Sequence, residues 1–324
     1  MANYMTYGGN FMLPHPYEVK DVTGYGVAVT GERKKLQALV DFALNRAKHP
    51  SLRYWVVSPT VLFTFMQMGS LACAGDPQKG SFTEQELNVT LLLLAVDTSL
   101  GVPSVRLVWY MPYLWLDSGP ALIAGRDVYG FPKQIAEVAI PDLGQPAVFS
   151  AKSEVLHRED GRPAMSGQTV LGVREMNAGI LEKASDTANA GAALGILGTF
   201  FGIDENILGD LIPIFPEINL GNLKMVFMRQ LASIANFNQA CFRSVAEVPF
   251  SVNFHGAGLL KGSYEVSIPY HHSVRLAHEL GIATDIIAPG KPGEDVLQPA
   301  KAAYHMNFDF TLGAGSDLWR EYEP

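Results

Sequence analysis

The chain of 324 residues is 48% hydrophobic and 17% charged, with a net charge of −8; it is apolar enough for a large core and for self-association. Its 24 basic residues are scattered, which argues against a basic face for nucleic acid. The two cysteines, Cys73 and Cys241, argue against a disulfide framework or a cysteine zinc site, and with a start lacking a basic region before an apolar run they indicate the cytoplasm.

Residues 1–24, rich in Gly, Pro and Tyr, are expected to be an extended lead-in. Gly24 to Glu32, GYGVAVTGE, has the wrong glycine spacing for a dinucleotide loop and is read as a turn. Leu36, Leu39, Val40 and Ala43 recur at helical spacing and predict a helix over 31–47. Short runs rich in β-branched and aromatic residues then predict strands: RYWVVSP, TVLFTFMQM, VTLLLLAV and VRLVWYMPYLWL. The last is apolar on both faces, as in a strand covered on both sides, and its Pro112 belongs at a bulge or edge.

Further strands are expected at AVFSAKSEVLH, LKMVFMRQL and YEVSIPY, and finally over 306–312. Helices are expected over 176–197 and 271–280, and a surface loop over 289–299. Strands grouped in runs with few helices between them predict an antiparallel α+β fold. Without repeats or a convincing linker, residues 1–324 are read as a single domain. The apolar segment ANAGAALGILGTFFGI begins at Ala188 and falls short of the ~20 residues a membrane span needs. It is read as a buried or interface insertion near 188–221, so no membrane partner is expected.

In YHHSVRLAH, His271 and His278 would share a helix face but stand about 10 Å apart at 1.5 Å per residue, too far for one zinc. They are read as solvated helix histidines, and no metal is expected. There is no G-x-S-x-G elbow, no phosphate loop and no H-E-x-x-H pair.

The remaining candidate is GRDVYGFPKQ, residues 125–134. It sets Lys133 after Pro132, among Val128, Tyr129, Phe131, Ile135 and Ala136. One reading is a lysine whose stem covers apolar surface while its head stays in water. The other is an amine desolvated into a nucleophile. Together with the preceding YMPYLWLDSGPALIA, this stretch resembles the acetoacetate decarboxylase family, whose strand, Leu-Asp turn, apolar run and Gly-Arg-acid lead into an aromatic-Pro-Lys.

The resemblance implies an antiparallel, barrel-like β-sheet core flanked by a few helices, no cofactor, and Lys133 as the Schiff-base residue. FTEQELNVTLLLL resembles the family segment with an active-site glutamate. That places the acid/base role on Glu84, with Glu86 as the substitute; an exposed loop carboxylate stays open as the other reading. Arg126, Tyr129 and Gln134 are the candidate substrate-binding residues, Arg126 also being read as a structural ion pair with Asp127. Residues 223–280 fit the family's C-terminal half. Two positions depart from the pattern: the family's second lysine is Gln134 here, and no arginine precedes Arg33 where the family places one for the substrate carboxylate.

A lysine of pKa ~10.4 is free base in only about 4 molecules per 10,000 at pH 7. Without a second lysine, desolvation by Val128, Phe131, Ile135, Trp109 and Trp115 is expected to lower it. The resulting iminium would drain electrons from the neighbouring carbon. Three readings follow: decarboxylation of acetoacetate or another β-keto acid, aldolase or dehydratase chemistry on an α-keto acid, and a non-catalytic member of the same scaffold. The first is the family's defining activity. The expected partners are a small-molecule keto acid and further copies of the chain, as a homo-oligomer.

Overall fold

The computed structural model describes residues 15–322 apart from 48, 50, 100, 160–161, 183–222, 237 and 283–294. Its strands are β1 (Tyr17–Thr30), β2 (Leu52–Val56), β3 (Thr60–Cys73), β4 (Ser81–Asp97), β5 (Ser104–Leu116), β6 (Lys133–Ala139), β7 (Val148–Glu159), β8 (Arg162–Glu175), β9 (Lys224–Ala232), β10 (Ala240–Val248), β11 (Phe250–Leu259), β12 (Tyr264–Pro269), β13 (Asp295–Pro299), β14 (Ala302–Leu312) and β15 (Ser316–Tyr322). The helices are short: α1 (Arg33–Ala43), α2 (Gly119–Ala124) and α3 (Leu276–Leu280).

All fifteen strands of the described residues join one sheet, whose main path runs β11-β14-β1-β3-β4-β5-β6-β7-β8-β12-β13. β9 continues from β5 and carries β10 and then β15. Every pairing is antiparallel except β5 with β6 and β5 with β9. The expected α+β class with a mainly antiparallel core is therefore present, in a sheet that stays open between its ends.

Strand alternation sends side chains into two hydrophobic clusters. One holds Tyr54, Phe63, Phe65, Leu87, Leu91 and Trp115. The other holds Leu62, Met66, Met68, Trp109, Leu114, Phe131 and Phe308. Pro112 lies at a bulge as expected, because the β4–β5 register jumps from Val89↔Tyr113 to Leu91↔Tyr110. Its missing N–H costs no ladder bond there.

Several sequence expectations need correction. Residues 1–14 of the expected lead-in lie outside the described residues, β1 takes up the rest from Tyr17, and GYGVAVT is not a turn but the second half of β1, paired with both β3 and β14. A side chain at Gly26 would come within 2.3 Å of the Tyr304 ring, and one at Gly24 within 3.3 Å of Met306. These glycines make room inside a sheet rather than bend the chain. The first helix is shorter than expected and gives way to a 3-10 turn at Asn45–Ala47.

Residues 176–182 form a turn and an isolated bridge, Pro146↔Ile180, instead of a helix. Glu175 accepts from the backbone N–H groups of Asn177 and Gly179 there, which satisfies the turn without helical bonds. The rest of that expected helix, and the insertion near 188–221, lie outside the described residues. Of 271–280, only Leu276–Leu280 is helical. His271 is buried off the helix with Nε2 2.7 Å from the Thr169 carbonyl, so it is not a solvated helix histidine. Part of the expected 289–299 loop is β13, paired with β12. Among the described residues, no helix is long and apolar enough to cross a membrane.

Candidate active site

β5 ends at Leu116, and the chain returns through α2, whose N-terminus is capped by Ser118 Oγ accepting from Ala121 N. A single π-helical turn, Gly125–Tyr129, follows and closes on Gly130 at φ 79°. A Cβ at Gly130 would lie 2.6 Å from the Arg229 Cα, so glycine is needed there for space as well as for φ. Pro132 then leads into β6, which pairs in parallel with β5 through Lys133↔Leu114. A Cβ at Gly125 would lie 2.8 Å from Lys133 Cδ and 3.0 Å from Cε. The lysine stem lies against bare backbone.

β4 supplies the other half. Glu84, Glu86, Asn88 and Thr90 alternate along it, so all four share one face. Lys133 Nζ lies 3.2 Å from Glu84 Oε1 and 3.4 Å from Glu86 Oε2. Exposure is 7% for Lys133, 1% for Glu84 and 4% for Glu86, so the three charges meet away from bulk water. Asn88 Nδ2 donates to Glu86 Oε1 at 3.4 Å, and Thr90 Oγ1 donates to Asn88 Oδ1 at 2.9 Å. The Phe131 ring centroid is 5.5 Å from Nζ.

Burial is the largest single influence on Lys133 and favours the free amine, but the charges of Glu84 and Glu86 and their hydrogen bonds outweigh it. They hold the ammonium above the ordinary lysine range. Burial pushes Glu84 up to about 8 against the pull of Lys133, with Glu86 adding to the rise. Burial thus favours the proton on Glu84, while the two carboxylates favour the ammonium of Lys133. This corrects the expectation that apolar surroundings alone would lower the lysine. The residues beside it in sequence are apolar, but the strand facing it contributes two carboxylates.

The three groups open onto a cavity of about 130 Å³. Its wall is otherwise largely methionine and aromatic, including Met66, Met68, Trp109, Met306, Phe308 and Phe310. Among the described residues lining it, Lys133 is the sole cation.

The structure thus brings together Lys133, Glu84 and Glu86, and Glu84 is no exposed loop carboxylate. The remaining candidates lie elsewhere. Gln134 is exposed, since strand alternation turns it away from Lys133. Arg126 and Asp127 are both exposed on the π turn, and no ion pair between them is found among the described residues; the turn is tied by Arg229 Nε donating to the Asp127 carbonyl at 2.8 Å. Tyr129 is buried behind the cavity wall, donating to the Gly313 carbonyl at 3.0 Å and packed between Tyr17 and Phe131. Trp109 lines the cavity, whereas Trp115 lies in the other cluster and Ile135 is half exposed. Sequence reasoning missed Asn88, Thr90, Thr64 and Tyr304 as lining residues. The period-2 pattern of E-Q-E-L-N-V-T carried the first two, but the strand was read as starting at Val89. Among the described residues, no cluster of three His, Cys, Asp or Glu side chains suits a metal.

The family model described as acetoacetate decarboxylase matches residues 4–159. Among solved structures, the fold is similar to acetoacetate decarboxylase from Legionella pneumophila, with TM-score 0.58 and 11% identity over 94% of this chain and 88% of that one. It is also similar to an acetoacetate decarboxylase-like enzyme from Sphingomonas wittichii, with TM-score 0.53 and 13% identity over 94% and 93%. A third likeness is the enduracididine biosynthesis enzyme MppR complexed with the condensation product of pyruvate and imidazole 4-carboxaldehyde, with TM-score 0.51 and 13% identity over 94% and 90%. No curated protein matches the chain in sequence.

Proposed function

We propose that this chain, a member of the acetoacetate decarboxylase-like superfamily, is a Schiff-base lyase that decarboxylates a β-keto acid through an iminium on Lys133. The observation that carries the reading is one buried lysine held at 3.2 Å and 3.4 Å by two buried glutamates on an otherwise apolar cavity. Lysines are almost never fully buried unless paired, and a buried, perturbed lysine on a cavity wall is a functional-site candidate.

The chemistry follows from the two carboxyls. Lys133 gives a proton to Glu86, and the free amine attacks the substrate ketone to form a carbinolamine. Glu84, carrying its proton, donates it to the departing hydroxyl, so water leaves and an iminium remains. The bond to the carboxylate carbon then breaks. CO2 departs, and the electron pair moves through the adjacent carbon into the iminium nitrogen, giving an enamine. Protonation of that carbon and addition of water release the ketone and regenerate the lysine. Apolar walls favour the bond-breaking step, because a localised carboxylate charge is worse solvated there than the dispersed charge of the transition state.

Aldol or dehydration chemistry with the same lysine is the second reading. It is favoured by the fact that, among the described lining residues, Lys133 is the sole cation that could hold a substrate carboxylate, and by the condensation product held by the similarly folded MppR. Borohydride trapping with acetoacetate, longer β-keto acids and pyruvate, read by intact mass and peptide mapping, tests both. A reduced adduct on Lys133 with release of CO2 is the expected result. An adduct without CO2 release, together with product formed from an added aldehyde, replaces decarboxylation by aldol chemistry. Failure of every ketone to mark Lys133 leaves the non-catalytic reading. The apolar composition and exposed Phe42, Trp55 and Leu231 support a homo-oligomer. The two free thiols, Cys73 and Cys241, support a cytoplasmic setting. A monomer at micromolar concentration in analytical ultracentrifugation would overturn the former.

A further inference from the structure

Strand register places the cavity side chains in rows that cross the sheet, and the rows have a direction. One row runs Glu84, Met68, Val22, Phe308, Phe254 through β4, β3, β1, β14 and β11. The next runs Glu86, Met66, Gly24, Met306, Ala257 over the same strands. A third begins at Lys133 and runs Leu114, Asn88, Thr64, Gly26, Tyr304. The two carboxylates and the lysine sit at one end, and beyond β4 the first two rows contain no polar side chain. From β4 to β11 there are four strand spacings of ~4.8 Å, on the order of 19 Å measured along the sheet.

The few polar groups farther along are engaged with one another. Thr64 and Tyr304 share a hydroxyl–hydroxyl bond of 2.7 Å, and Thr90, Asn88 and Glu86 form a chain of donors and acceptors. Among the described lining residues, a second carboxylate, a phosphate or an amine on the distal part of a substrate would find no counter-charge there. Gly24 lets the neighbouring side chains close over the mid-row backbone, for a Cβ there would meet Met306 Cγ at 3.3 Å, Met66 Cγ at 3.7 Å and the Phe308 ring at 3.7 Å. The unbranched methionines on this part of the wall, Met66, Met68 and Met306, adjust to an apolar guest of variable shape.

We infer that the carbonyl compound taken by this protein carries a hydrocarbon chain, laid from Lys133 over Met68, Met66 and Gly24 towards Met306, Phe308 and Phe254. The inference rests on the reading of Lys133 as the carbonyl-capturing amine. It narrows the substrate class to a ketone or keto acid whose reacting end is polar and whose remainder is alkyl, longer than the four carbons of acetoacetate.

Two measurements on the full chain test it. In the first, methyl ketones (butanone, hexanone, octanone and decanone) are trapped with cyanoborohydride and the Lys133 adduct is followed by mass. Burial of one methylene gives ~0.8 kcal/mol, so trapping efficiency at limiting ketone is expected to rise about fourfold per methylene until the cavity fills. Gly24→Val is expected to cut the octanone-to-butanone ratio by roughly tenfold or more, since its branched side chain suits a strand but pushes Met306 and Met66 into the cavity. A flat or falling series with butanone still marking Lys133 overturns the chain inference and leaves the Schiff base standing.

In the second, octanone and butanone binding is measured by calorimetry without reductant. Tighter binding of octanone supports the apolar channel even where no ketone marks Lys133, an outcome that removes the lyase reading alone. Equal affinity for the two ketones overturns the inference, whatever the lysine does and whether or not the valine variant folds.

Discussion

Replacing Glu84 by Gln separates the proton on this carboxyl from everything else that titrates in the chain. The variant keeps a side-chain oxygen for Lys133 Nζ, now 3.2 Å from Glu84 Oε1, and removes only the ionisation. Glu84 is raised from 4.5 to about 8. Below pH 4.5 the carboxyl is protonated in folded and unfolded chains alike. Between 4.5 and about 8 the unfolded chain releases the proton while the folded chain keeps it, so stability falls by up to ~1.36 kcal/mol per pH unit. Above 8 the loss is complete, at about 5 kcal/mol for a raise from 4.5 to about 8. Lys133 contributes no slope across this window, because its pKa is raised and its stabilising effect is fully present below the ordinary lysine range. Urea unfolding of both proteins from pH 4.5 to 9 is the assay. The stability difference, variant minus wild type, is expected to grow by about 5 kcal/mol between pH 4.5 and 8.5 and then level off. A difference constant to within about 1 kcal/mol would mean that Glu84 holds no proton at neutral pH, and the acid assigned to carbinolamine dehydration would be gone.

Other outcomes follow from the same geometry. Glu86→Gln removes a carboxylate that holds the Lys133 ammonium, so the alkaline rise of adduct formation with pH should move to lower pH; an unmoved limb in a trapping-rate profile contradicts that electrostatic role. Gly125→Ala would place a methyl 2.8 Å from Lys133 Cδ and displace the amine. A drop in trapping of about 100-fold, the order expected for a 1 Å misplacement, should accompany little change in circular dichroism. Gly26→Ala would force the Tyr304 ring aside and break its bond to Thr64. Overpacking of this kind costs typically ~1–3 kcal/mol, measurable by urea unfolding. Arg126→Ala and Gln134→Ala, at exposed positions away from the cavity, should change trapping less than about twofold, since surface substitutions are usually within ~0.5 kcal/mol.

The strands richest in β-branched and aromatic residues, β3 and the apolar parts of β4 and β5, were legible because both their faces are buried. β8 was not. RPAMSGQTV presents exposed and half-exposed side chains until Val170, so its pairing with β7 leaves little hydrophobic signal. β10, β11 and β15 escaped for a similar reason, their polar residues being paired across strands, as Ser244 is with Asp317 at 2.8 Å. The glycines of β1 gave the wrong signal altogether. Glycine marks turns by default, and only the ring of Tyr304, almost three hundred residues away, explains Gly26 inside a strand. The lysine and its glutamates were placed by family resemblance. That the pair of carboxylates outweighs desolvation was not legible, because it depends on β4 lying across from β6.

The two departures from the family pattern carry unequal weight once the register is known. Gln134 follows Lys133 in an extended strand, so whatever occupies position 134 points away from the cavity, and its identity cannot tune the amine by contact. That departure says little about chemistry. The missing arginine is different. Among the described residues of the cavity wall Lys133 is the sole cation, so a substrate carboxylate would lie among apolar side chains and beside Glu84 and Glu86. Such a placement raises the energy of the bound acid relative to the state that loses CO2, and it also favours substrates with no carboxylate at all. The ratio of CO2 release to total turnover across keto acids and plain ketones decides between them, since both uses need the same lysine, the same proton on Glu84 and the same apolar channel.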